Sequence, residues 1–169
     1  YIRTGDYQQC VKEYGELTAR YPADVVAHNQ RAVCLARLRV MRGAVEEMRQ
    51  VVKVLPSQKG FRTNLALFLS YAGDFAGAEQ EIRAMQEPND RAIGALAISQ
   101  LGQGVIPTVT DTYKQLSTMS PWGAAYAAAG LADLAVYQGR FAEAVRLFES
   151  GITADLAAKN RDAAAMKLT

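Results

Sequence analysis

Residues 65–82, LALFLSYAGDFAGAEQEI, decide how this chain folds. Ala66 precedes Gly73-Asp74-Phe75 by seven residues, Ala78 follows Gly73 by five, and Ile82 follows by nine. Small side chains let two helices approach closely, and a large apolar side chain one turn further on fills the space between them. Glycine after a helix can take the left-handed conformation that caps the helix end without steric cost. The stretch therefore predicts two antiparallel helices joined by a tight turn at Gly73.

Outward from it, the same phrase recurs. Gly5-Asp6-Tyr7 and Gly139-Arg140-Phe141 repeat the turn, and Gly104-Val105-Ile106 is a weaker copy. Gly5 and Gly73 are 68 residues apart, twice 34, and the next two gaps are 31 and 35. A period near 34 marks a helix pair stacked on copies of itself. Around each turn the pattern holds. Ala32, Ala66, Ala97 and Ala132 come seven residues before it, and Cys10, Ala44, Ala78, Val109 and Ala144 five after. Tyr14, Met48, Ile82, Tyr113 and Phe148 come nine after. Pro22, Pro56 and Pro121 fall where the second helix must stop, because proline cannot continue it.

This register resembles the tetratricopeptide repeat (TPR) family, whose pattern is W-x2-L-G-x2-Y, then A-x3-F, then P. Leu65-Ala66, Leu96-Ala97 and Leu131-Ala132 match the L-G element, and Ala144-x3-Phe148 matches A-x3-F. The resemblance covers essentially the whole chain and implies an all-α solenoid of helix–turn–helix repeats wound into a right-handed superhelix. Residues 1–169 read as one solenoid. It has a partial repeat at 1–24, repeats at 25–58, 59–89, 90–124 and 125–158, and a partial helix at 159–169. The second repeat departs from the pattern, with Arg31 in place of leucine and Arg39 in place of the turn glycine. The third is short, with Pro88 ending its second helix early. No repeat carries the tryptophan, and His28 takes that place in the second.

The expected helices are 6–20, 25–38 with 40–55, 59–72 with 75–86, 90–101 with 106–119, 122–138 with 141–156, and a last one over 160–168. In this register Tyr1 falls about eleven residues into one helix, and Thr169 about eleven into another. The helix expected over 6–20 shows Tyr7, Val11, Tyr14 and Leu17, an apolar stripe that calls for a neighbour. The expectation is a stretch of a longer protein, or a homodimer through exposed terminal helices.

Chemistry is sparse. Half of the 169 residues are hydrophobic and 21% are charged, which is a folded composition, and the net charge is +2. That balance disfavours nucleic acid as partner, and no apolar run approaches the roughly 20 residues of a membrane helix. A single histidine rules out a two-histidine metal site, and His28 reads as a packing residue. No phosphate loop is present: Gly102-Gln103-Gly104 lacks the third glycine and the preceding strand. Glu46-Glu47 and Glu79 with Glu81 read as solvated faces, and Arg31, Arg37, Arg39 and Arg42 as a solvated face with salt bridges. Cys10 and Cys34 read as two small buried thiols, with a bridge between neighbouring helices as the alternative. No cofactor and no metal is expected, and the expected location is cytoplasmic.

By resemblance, the first helix of each repeat lines a concave groove. The second repeat offers Asn29, Gln30, Val33 and Arg37, and the third Thr63, Asn64, Leu67, Ser70 and Tyr71. The fourth offers Arg91, Ile98 and Leu101, and the fifth Tyr126, Asp133, Val136 and Tyr137. Some TPR domains grip a C-terminal carboxylate with a clamp of lysine, asparagine and arginine. Asn64 and Arg91 match two of its positions, but Val33 and Ala95 stand where asparagine and arginine belong, so the clamp is incomplete. What is left is a groove of tyrosines, aliphatics and amides suited to a peptide or an amphipathic helix. Helical spacing leaves open whether the tyrosines bind or pack. The expected function is a non-catalytic protein–protein interaction scaffold. The alternative is a regulatory or sensor segment of a multidomain bacterial signalling enzyme such as a serine/threonine kinase.

Overall fold

Five of the helices begin where a side chain takes up a free backbone N–H. In the computed structural model, which describes residues 5–166, Asp6, Asp24, Asp74, Asn89 and Ser120 accept from the backbone three residues on. Such caps contribute about 1 kcal/mol each. The helices are α1 Tyr7–Arg20, α2 Val25–Arg37, α3 Met41–Val54, α4 Lys59–Ala72, α5 Phe75–Arg83, α6 Asp90–Gly102, α7 Ile106–Ser117, α8 Pro121–Tyr137, α9 Phe141–Ala157 and α10 Arg161–Met166. There is no strand among the described residues. Most bounds match expectation within two residues. α5 is the exception and stops at Arg83, because Pro88 bars helical backbone at the residue before it and leaves no room for another turn. The expected helix over 160–168 is described only to Met166, and Tyr1 also lies outside the described residues.

The glycine turns behave as the spacing requires. Gly73 sits at φ 84°, and the second repeat makes the same left-handed turn with Arg39, at φ 63°. The small positions are the tightest places in the fold. Ala32, Ala66, Ala97 and Ala132 are fully buried, as are Cys10, Ala44, Ala78 and Val109. Of the large positions, Met48, Ile82 and Tyr113 are buried, and Tyr14 and Phe148 half-buried.

The helices form two compact units, one ending at Gln103 and the other beginning at Gly104. The boundary falls inside the stretch 90–124. α6 packs on α4 and α5 in the first unit, and α7 packs on α8 in the second. In the first unit Val45, Met48, Val51 and Val52 of α3 join Leu65, Phe68 and Leu69 of α4 in one core cluster. A smaller cluster gathers Ala66, Ile82, Met85, Ala92 and Ala95. In the second unit Val109, Tyr113 and Leu116 of α7 and Ala127, Ala132 and Leu134 of α8 are buried. Gly130 marks one close approach of α7 and α8: a Cβ there would lie 2.3 Å from the Tyr113 ring.

Three sequence expectations need correction. Cys10 and Cys34 are not free thiols; they form a disulfide that ties α1 to α2, with Cα atoms 6.2 Å apart. Sequence spacing gave each cysteine a buried position but not the facing one. Of the expected apolar stripe on α1, Tyr7, Val11 and Tyr14 are half-buried and not open, while Leu17 is exposed. The opposite face of α1 is polar, carrying Gln9, Lys12, Glu13, Glu16 and Arg20 around Leu17.

The third correction concerns the carboxylates. Glu47 and Glu81 are not simply solvated. Glu47 meets His28 Nδ1 at 2.6 Å and accepts from Arg31 at 2.7 Å, while His28 Nε2 donates to the Pro22 carbonyl at 3.0 Å. Thirty-four residues on, Arg62 donates to the Pro56 carbonyl and to Glu81, both at 2.5 Å. The repeat thus carries its own latch: a cationic side chain on the first helix joins the preceding proline's carbonyl to a carboxylate on the second. In the second unit the corresponding positions are Ala128 and Leu147, and they line an apolar trough of about 270 Å³ between α8 and α9.

Candidate functional site

The residues proposed for the groove fall into two sets, one in each unit. Asn29, Val33 and Arg37 of α2, Thr63, Asn64, Leu67 and Tyr71 of α4, and Arg91 and Ile98 of α6 belong to the first unit. Tyr126, Asp133 and Tyr137 lie on α8 in the second.

In the first unit α4 packs beside α6, and Asn64 Nδ2 donates to Asn29 Oδ1 at 3.2 Å, which pins α4 to α2. Gln30, Val33 and Arg37 follow one another at helical spacing, as do Asn64, Leu67 and Tyr71. Val33, Leu67 and Ile98 are half-buried; Arg37, Arg91 and Leu101 are exposed. Tyr71 is 51% exposed, so it is not a core residue. Thr63 does not belong on this surface. It is buried, and its hydroxyl donates to the Lys59 carbonyl at 2.8 Å within its own helix. Ser70 is also buried, linked to Ser99 of α6 at 2.9 Å and donating to the Ala95 carbonyl. Thr63 and Ser70 were drawn into the groove by repeat register alone, which cannot distinguish the rim of a helix face from its packed flank.

The carboxylate clamp is as incomplete in space as in sequence. Ala95 is fully buried, and the Asn64 amide already bonds Asn29.

On α8, Tyr126, Asp133 and Tyr137 share one face at spacings of seven and four residues. Tyr137 is 79% exposed and Asp133 is exposed. Tyr126 is half-buried and stacks on Trp122, with ring centroids 5.1 Å apart and planes 16° from parallel. Sequence reasoning passed over Trp122; its position one turn before Tyr126 was the available signal. Together these side chains make an aromatic edge that can lie against apolar or planar groups.

His28 has no catalytic setting, since its contacts are those of the latch. Among the described residues, no three His, Cys, Asp or Glu side chains converge as a metal site would need. No described helix is long and apolar enough to cross a membrane.

Set against solved structures, the chain overlays a tetratricopeptide repeat protein from Parabacteroides merdae with a TM-score of 0.77, covering 98% of this chain and 71% of that one at 18% identity. The chain has the tetratricopeptide repeat fold. Two further TPR-like neighbours agree. PilF of Pseudomonas aeruginosa aligns at a TM-score of 0.69 and 17% identity over 99% of this chain and 83% of its own. PilW, a type IV pilus biogenesis factor, aligns at 0.70 and 19% over 99% and 85%. No family model and no curated protein matches the sequence. At these identities the likeness establishes the TPR fold alone, and the TPR surface of α2, α4 and α6 is defined by this chain's own residues.

Proposed function

We propose that this TPR chain is a non-catalytic interaction scaffold that holds an extended peptide or an amphipathic helix against α2, α4 and α6. The observation that carries the reading is the graded exposure of one surface. Val33, Leu67 and Ile98 are half-buried at its floor, while Tyr71, Arg37 and Arg91 stand exposed at its margins. Half-buried aliphatics give a peptide's apolar side chains a dry seat, and tyrosine adds contact area with one polar handle at low entropic cost. Kinship of fold with other TPR proteins supports a protein partner. No observation favours a regulatory segment of a signalling enzyme.

The Cys10–Cys34 disulfide bears on where this scaffold works. Disulfides persist in oxidising compartments and are rare in reducing cytosol. The reading proposed is therefore an extracytoplasmic location in place of the cytoplasmic one expected from sequence.

The test is selection from a displayed random-peptide library on the intact, oxidised chain, followed by titration of the selected peptides. Peptides with spaced apolar residues are expected, binding in the micromolar range. Leu67→Glu and Tyr71→Ala should each weaken binding at least about tenfold, equivalent to 1.4 kcal/mol, with helicity by circular dichroism unchanged. Selected peptides that bind both variants as well as the parent would place binding elsewhere and defeat the proposal.

A further inference from the structure

Charge is divided unequally among the helices of the first unit. α2, α4 and α6 together carry Arg31, Arg37, Lys59, Arg62 and Arg91 against a single carboxylate, Asp90. Three of these cations are engaged. Arg31 pairs with Glu47 at 2.7 Å, Lys59 with Glu87 at 3.0 Å and Arg62 with Glu81 at 2.5 Å. The carboxylates come from α3, from α5 and from the loop after α5. Arg37 and Arg91 are exposed, and neither guanidinium has a partner among the described residues. Asp90 turns to the start of its own helix, where it accepts from the backbone N–H of Arg91 at 2.8 Å.

The two free cations stand at opposite corners of the apolar floor. Short turns reverse the chain after each helix, so α2, α4 and α6 run the same way. Val33, Leu67 and Ile98 each lie eight residues after the first residue of their helix, and so form a row across the three. Arg37 lies four residues past Val33, about 6 Å toward the C-terminal ends. Arg91 lies seven residues before Ile98, about 10 Å toward the N-terminal ends. With neighbouring axes 8–10 Å apart, the row is roughly 20 Å long, the span of about six extended residues. A segment laid along it meets a free guanidinium at each end.

We propose, on the reading of this surface as a peptide seat, that the segment it holds is extended and acidic. Apolar side chains occupy the floor, and an Asp or Glu on either side of them reaches Arg37 and Arg91. Charge complementarity commits the surface to this occupant. A basic segment would set its cations against two unpaired guanidinium groups, and like charges facing each other across an interface work against binding. Recognition needs no free C-terminus, because the buried Ala95 and the engaged Asn64 leave no clamp for a terminal carboxylate. Exposed ion pairs contribute little apiece. The charges therefore select the partner and speed its association, while the apolar floor supplies most of the affinity.

The test is selection on the intact, oxidised chain from random peptides displayed between fixed flanks, so that no free C-terminus is offered. Asp and Glu should be enriched over Lys and Arg on both sides of the apolar residues. Synthetic copies with amidated C-termini are then titrated by fluorescence polarisation. Exchanging their carboxylates for amides should weaken binding about five- to tenfold, and raising salt from about 0.05 M to about 0.5 M should do the same. Arg37→Gln with Arg91→Gln should weaken the acidic peptides by a like factor and leave their amide versions unaffected. Both side chains are exposed, so helicity by circular dichroism should hold; if the double variant loses it, each single exchange serves in its place. Leu67→Gln adds no charge and reads the apolar seat separately. Selected peptides that need Leu67 yet are neutral or basic overturn the acidic partner and leave the scaffold standing. Acidic peptides that need Leu67 but ignore both arginine exchanges do the same. Peptides indifferent to Leu67→Gln, or no selected peptides at all, remove the seat, and both readings fall together.

Discussion

Arg39 turns the chain at φ 63°, where the corresponding turns use Gly5, Gly73, Gly104 and Gly139. A left-handed conformation costs a residue with a Cβ about 1–2 kcal/mol, offset in part by the greater freedom glycine has when unfolded. Arg39→Gly is therefore expected to stabilise the chain by about 1 kcal/mol, raising the melting temperature by about 2–4 °C in a thermal scan. An unchanged or lowered melting temperature would mean that the Arg39 side chain contributes something its exposed position does not reveal. Glu47 is the opposite case. It joins His28 and Arg31 in a largely buried corner, where the Nε of Arg31 has no hydrogen-bond partner. Glu47→Ala strips a carboxylate from two cationic side chains at once and should cost about 2–3 kcal/mol by chemical denaturation. The spacing of His28, Glu47, Arg62 and Glu81 was visible in the sequence, but the carbonyls of Pro22 and Pro56 that complete each latch were not. A carbonyl's partner depends on how the loop before the helix folds back.

At the scale of elements, α1 is held to α2 by the Cys10–Cys34 bond across a separation of 24 residues. Closing a loop of that length restricts the unfolded chain and contributes about 3 kcal/mol. Reduction, or Cys10→Ala, is expected to lower stability by that amount and to raise hydrogen exchange in α1 above that in α3 and α4. Exchange rising equally in all three would argue that α1 is not the element the bond secures. α7 and α8 depend on a missing side chain. Gly130→Ala drives a methyl group into the Tyr113 ring, and overpacking of this kind costs about 1–3 kcal/mol.

For the whole molecule, stacked repeats are held mainly by their nearest neighbours. Two compact units divided at Gln103 and Gly104 extend that argument. Gly130→Ala should therefore raise hydrogen exchange in α7, α8 and α9 while sparing α3 and α4. Equal loss everywhere would show that the chain unfolds as one block. Most of the fold was legible in residues 65–82 and their copies, because the close approach of two helices demands small residues at fixed distances from a turn. The candidate site was legible only in part. Register alone put Thr63 beside Asn64 in the groove, yet one step of 100° around the helix buries the first and leaves the second half-buried. By itself, the sequence determined the repeat, the helix pairs and the small residues at their crossings, since these follow from local geometry repeated along the chain. Tertiary structure alone decided that Cys10 meets Cys34, that Tyr71 and Tyr137 stay exposed, and that Glu47 closes on His28 and Arg31. Each of those depends on which helix lies against which, and helical spacing does not encode its own neighbour.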